Sequence, residues 1–106
     1  MNTTLPPVDR DGHLRELTDW SIEVAARLAN EAGITLRAEH WAIIKLVRDF
    51  HARTEVAPAM RPLVKIVKEK LGAEVGNSLK LHELFPGSPA RTIARIAGLP
   101  RPKNCL

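Results

Sequence analysis

The residue in this 106-residue chain best placed for covalent chemistry is Cys105, the only cysteine and the next-to-last residue. A free cysteine is ordinarily a small buried hydrophobe. Here it follows Arg101-Pro102-Lys103-Asn104 at the chain end, where exposure is the rule, so a core position is not expected. The terminal carboxylate opposes ionisation of the thiol, whereas Lys103 and Arg101 favour it. A thiol with a pKa near 8.5 is only a few per cent thiolate at about pH 7, yet that fraction is already a good nucleophile. A basic pocket or helix N-terminus in a partner would complete the activation. The pattern suits a carrier better than a self-contained enzyme.

One thiol forms no internal disulfide and builds no zinc site alone, so no metal or resident cofactor is expected. His13, His40, His51 and His82 are the remaining candidates. His40 and His51 fall on one helix but about 16 Å apart along its axis. Without ligand spacing such as HExxH, all four are expected to be surface or partly buried histidines. Phosphate-binding loops, a GxSxG elbow and paired catalytic carboxylates are missing. Trp20 and Trp41 sit at core spacing and read as packing anchors.

Charge is unevenly placed. The net charge is +4, with seven Lys/Arg against eight Asp/Glu in residues 1–54 and nine against four in residues 55–106. After Glu83 only cations follow: Arg91, Arg95, Arg101 and Lys103. That end favours an anionic partner or an acidic docking face, although a mild excess also serves solubility. No apolar run is long enough to span a membrane, and the start of the chain lacks the apolar stretch of a signal peptide. A cytoplasmic location is therefore expected.

The elements that must position Cys105 are mostly helical. Asp11-Gly12 between Val8 and Leu14 predicts a short β-hairpin packed on helices. Thr18 or Asp19 is the expected cap of a first helix running to Ala32 and closed by Gly33. Thr35 is the expected cap of a second, to Arg53, burying Trp41, Ile44, Leu46, Val47 and Phe50. A third spans Ala59–Leu71, with Pro62 tolerated in its first turn, and Asn77-Ser78 opens a short fourth through Leu84. Ser88, Pro89 and Gly98 frame a fifth, on which Arg91 and Arg95 form an i,i+4 pair. Pro100 and Pro102 then stiffen an extended segment judged too polar for the core. Seven residue steps from Gly98 to Cys105 reach about 22 Å in a polyproline-like form. The expected fold is mainly α (α+β): a small orthogonal bundle of about five helices with an N-terminal β-hairpin. Residues 1–98 form the domain and 99–106 a flexible C-terminal arm carrying the cysteine. Helices two and three also admit a helix-turn-helix reading, hence a basic nucleic-acid-binding regulator, but the apolar middle of the third leaves few side chains to read bases.

The segment LHELFPGSPARTIARIAGLPRPKNCL resembles the C-terminal region of the DsrC/TusE family of sulfur-trafficking proteins. VDRDGHL, LTDWSIEVAARLANEAGITL, EHWAIIKLVRDFH, APAMRPLVK and the Gly76-Asn77-Ser78 turn resemble family segments in family order, so the likeness runs from Val8 onward. It implies that Cys105 accepts sulfane sulfur as a transient persulfide and passes it on. Where DsrC proper has a second cysteine this chain has Ala94, so a trisulfide joining two cysteines is not available. Lys103-Asn104 also departs from the Gly-containing tail of many DsrC proteins.

The one-cysteine pattern is similar to the TusE-like branch. That likeness implies a sulfurtransferase-type carrier loaded by a TusBCD-like complex and unloaded by an MnmA-like tRNA 2-thiouridylase, with tRNA contacted only indirectly. A role in sulfur oxidation or other sulfane transfer is the alternative within the family. Arg91, Arg95, Arg101 and Lys103 are the expected arm and docking residues.

Overall fold

Five helices account for most of the fold in the computed structural model, which describes residues 5–102. They are α1 (Ile22–Glu31), α2 (Ala38–Thr54), α3 (Met60–Leu71), α4 (Ser78–Leu84) and α5 (Pro89–Ile96). A 3₁₀ turn, Leu17–Asp19, precedes them. The expected hairpin reduces to one antiparallel bridge between Val8 and Leu14, with no extended strands among the described residues. Its loop is tied by Asp9 N–H donating to His13 O at 2.8 Å and Gly12 N–H to Asp9 O at 3.0 Å.

The helix starts show which local signals prevailed. α1 begins after Ser21, not Thr18 or Asp19, because the Ser21 hydroxyl accepts the Val24 N–H at 3.1 Å. Residues 17–19 tighten into the 3₁₀ turn, and Trp20 is left extended between the two helices. α2 begins after Arg37 rather than Thr35, and the ring of His40, at the third helical position, accepts the Arg37 N–H at 3.1 Å, the part a Glu or Gln plays in a capping box. Asn77 caps α4 as its side-chain oxygen accepts from Lys80 N–H at 2.8 Å.

α5 is the hub. It buries Pro89, Ala90, Ile93, Ala94 and Ile96, and touches α1, α2, α3 and α4. Around it pack Ala25, Leu28, Ile43, Ile44, Val47, Leu63, Val67, Leu81 and Phe85, all buried. Each large aliphatic side chain removed from water contributes roughly 1.5–3 kcal/mol before chain entropy is set against it. Trp41, Leu46 and Phe50, expected inside, are only half-buried; His40 and Ile43 take the inner positions of α2 instead. No described helix is long and apolar enough to cross a membrane.

Two histidines depart from expectation. His13 and His40 are buried, at 1% and 3% exposure. For His40 the reason is full hydrogen bonding: Nδ1 accepts from Arg37, and Nε2–H donates to Leu84 O at 2.8 Å. Its ring also meets Phe85 edge-on at 5.0 Å. His40 is thus a polar strut between α2 and α4.

Candidate functional site

Cys105 and Lys103 lie outside the described residues, so the site is built from the segment that holds the chain immediately before them. The last carbonyls of a helix lack partners within the helix. At the end of α5 the backbone satisfies two of them, with Gly98 N–H on Arg95 O at 3.2 Å and Leu99 N–H on Ala94 O at 2.8 Å. This is the pairing of a Schellman cap, and it requires Gly98 at φ +75°. A side chain at Gly98 would also run into the Trp20 ring.

Three side chains from the first half of the sequence take the next carbonyls. Trp20 Nε1–H donates to Ile96 O at 2.8 Å and Arg48 Nη1–H to Ala97 O at 2.7 Å. His13 Nδ1–H donates to Leu99 O at 2.9 Å, which fixes the ring proton on Nδ1, since a carbonyl only accepts. The Arg48 guanidinium lies 3.8 Å from the Trp20 ring centroid, so the two donors also hold each other. Burial pushes the Arg48 pKa down while the Asp49 charge opposes it. His13 Nε2 is buried with no hydrogen-bond partner among the described residues.

The loop presenting His13 is itself tied. Asp9 Oδ1 accepts from Asp11 N–H at 2.9 Å and His13 N–H at 3.0 Å. Desolvation acts to raise the Asp9 pKa, but these two amides, helped by the charge of Arg15, hold it below its usual value. The same loop offers Asp11 to Arg101, whose Nη1 is 2.9 Å from Asp11 Oδ2. Both side chains are about half exposed, at 49% and 40%, so the pair contributes at most about 1 kcal/mol.

The arm expected to stand free from residue 99 is therefore seated on the body as far as it is described. Leu99 is 3% exposed and Pro102 is buried, against the expectation of a segment too polar for the core. Leu99 is apolar and follows the Schellman glycine, where an inward hydrophobic contact is common. The other docking candidates divide. Arg95 Nη2 lies 3.5 Å from Glu31 Oε1, and its side chain packs so closely on Gly12 that a Cβ there would be 2.7 Å from Nε. Arg91 and Arg95 each bury Nε with no hydrogen-bond partner among the described residues. Arg95 thus ties α5 to the end of α1 and to the residue 9–13 loop. Ala94, where a second thiol would stand, is sealed in the core at 1% exposure.

Sequence reasoning missed His13 and Arg48 as holders of this root and took Trp20 for a packing anchor alone. The available signal was Arg48, a cation one turn after Ile44 and next to Val47 on the inner side of α2.

A helical hub whose closing turn is clamped by side chains distant in sequence defines the class of this small domain, and its lone cysteine follows that turn in the sequence. The family model described as DsrC like protein matches residues 1–106, and the chain belongs to that family. It is 46% identical to a protein named sulfurtransferase TusE from Salmonella choleraesuis (strain SC-B67), over 92% of this chain and 90% of the relative. Sulfurtransferase TusE of Escherichia coli (strain K12) is 44% identical over the same shares. Among solved structures, DsrC of Allochromatium vinosum superposes with a TM-score of 0.85 at 44% identity, covering 93% of this chain and 88% of that one. The oxidized gamma-subunit of dissimilatory sulfite reductase (DsrC) from Archaeoglobus fulgidus gives 0.84 at 39% identity, over 95% and 92%.

Proposed function

We propose that this protein is a persulfide relay that works in the cytoplasm, carrying sulfane sulfur on Cys105 between two partner proteins. The observation that carries the reading is the pairing of a solitary penultimate thiol with near-full-length similarity to proteins named sulfurtransferase. The proposed donor is a TusBCD-like complex and the proposed acceptor an MnmA-like tRNA 2-thiouridylase, so that the sulfur ends on a wobble uridine.

The chemistry balances without an added oxidant. The Cys105 thiolate attacks the outer sulfur of a donor persulfide; the donor S–S bond breaks, a new one forms at Cys105, and the donor leaves as a thiolate. An acceptor thiolate then attacks that outer sulfur and releases the Cys105 thiolate. Ala94 supports the sequence of steps, because a nearby second thiol would discharge the persulfide into an internal disulfide. Arg101, Lys103 and the exposed parts of Arg91 and Arg95 supply positive charge for an acidic docking face.

Incubation with a cysteine desulfurase and the donor complex should add one reducible sulfur to Cys105, read by intact-protein and peptide mass spectrometry. Cys105→Ser should gain none. Equal gain on that variant would defeat the reading. If an acceptor from sulfur oxidation unloads the protein and the thiouridylase does not, the pathway assignment falls while the carrier chemistry stands.

A further inference from the structure

We infer that Trp20, Arg48 and His13 form a collar of positioning residues that fixes where the sulfur-bearing tail leaves the body and how much of it remains to deliver sulfur. The inference rests on the relay reading above and deepens it. Three of the four carbonyls from Ile96 to Leu99 are each held by a different side-chain N–H, at 2.8, 2.7 and 2.9 Å. The donors come from three separate places: the residue 9–13 loop, the extended residue before α1, and the middle of α2.

A helix needs no such device merely to end. The Schellman pairing already closes α5, and remaining carbonyls at a surface are ordinarily left to water. The collar instead commits an arginine whose charge burial disfavours, and a buried histidine with one nitrogen unpartnered among the described residues. Arg101 on Asp11 and the burial of Leu99 and Pro102 extend the same hold four residues past Gly98.

The consequence is a length. In a polyproline-like form seven residue steps from Gly98 would carry Cys105 about 22 Å, and three steps from Pro102 would carry it about 9 Å. Donor and acceptor must then bring their reactive sulfur close to the end of α5, which selects partners whose thiol lies shallow in the docking face. A shorter tether also raises the effective concentration of Cys105 at the docked partner. That quantity varies roughly as the −3/2 power of tether length, so releasing the collar should lower it about three- to fourfold.

The test uses the full chain carrying His13→Phe and Arg48→Met together, Arg48→Lys alone as the conservative control, and a third protein with four Gly/Ser residues inserted after Pro102. Three quantities are read: amide exchange at Leu99 and in α2, alkylation of Cys105 by iodoacetamide, and kcat and KM for sulfur transfer to the acceptor. In the double variant Leu99 exchange should accelerate at least tenfold while α2 stays protected. Alkylation should hold, and kcat should fall about three- to fourfold with KM unchanged. The insertion should reproduce the fall in kcat with Leu99 still protected, and Arg48→Lys should stay within twofold of the unaltered protein. Unchanged Leu99 exchange, or unchanged kcat once Leu99 is released, overturns the collar. Failure of the unaltered protein to take up sulfur overturns the relay reading and the transfer role with it, while Leu99 exchange still reports whether the side chains hold the tail.

Discussion

The two ends of α5 are made by opposite means. Its start is local: Ser88, Pro89 and the Ser88 carbonyl, which accepts Thr92 N–H at 2.8 Å, all lie within one turn. The Ser88 side chain makes no capping hydrogen bond there. Its end is held across the whole chain, through contacts separated by 76, 49 and 86 residues. The start needs only a residue of fixed φ, whereas the end depends on side chains that arrive only once the chain has folded.

Several substitutions would break or sharpen that contrast. The largest effect is expected from Gly98→Val, which forces a β-branched residue into positive φ and drives it against Trp20. A loss of about 3 kcal/mol should appear in urea unfolding, with the midpoint shifted and the m-value unchanged. Arg48→Met removes a charged donor from Ala97 O and its stacking on Trp20. About 2 kcal/mol is expected from the same measurement.

Asp9 gives a smaller and pH-dependent effect. Its folded pKa lies below the ordinary 3.8, so its charged form stabilises the fold at pH values above 3.8, and that contribution is lost as pH falls through the depressed folded value. Asp9→Asn should therefore melt lower than the unaltered protein near neutrality, and the gap should close in acid. A gap that widened in acid would reverse the assignment. Smallest is Ser88→Ala at the other end of the helix. Capping serines contribute about 1 kcal/mol, but this one makes no capping bond, so thermal melting should change by only a few tenths of a kcal/mol.

The same contrast explains which features were legible in the sequence. Those encoded within a few residues were readable: Pro89 and Gly98 around α5, Asn77 before α4, Gly33 and Gly72 as stops. Starts that depended on competition between neighbouring polar groups were displaced, as at Thr18 against Ser21 and at Thr35 against the His40 ring. The seating of Leu99 was not legible, because its partner His13 is 86 positions away. His13 and His40 each bond a distant carbonyl that periodicity does not reveal, though only His40 has both ring nitrogens partnered among the described residues. Of the candidate site, the thiol was legible in the sequence, and the contacts that hold residues 96–101 came only from the fold.

The most direct measurement tracks isotopically labelled sulfur through one turnover. Donor charged with labelled persulfide is mixed with this protein, and acceptor is added after the donor is removed. Label should reside on Cys105 before the acceptor arrives and leave it at the rate the acceptor is charged. Label reaching the acceptor just as fast through Cys105→Ser would contradict the central claim.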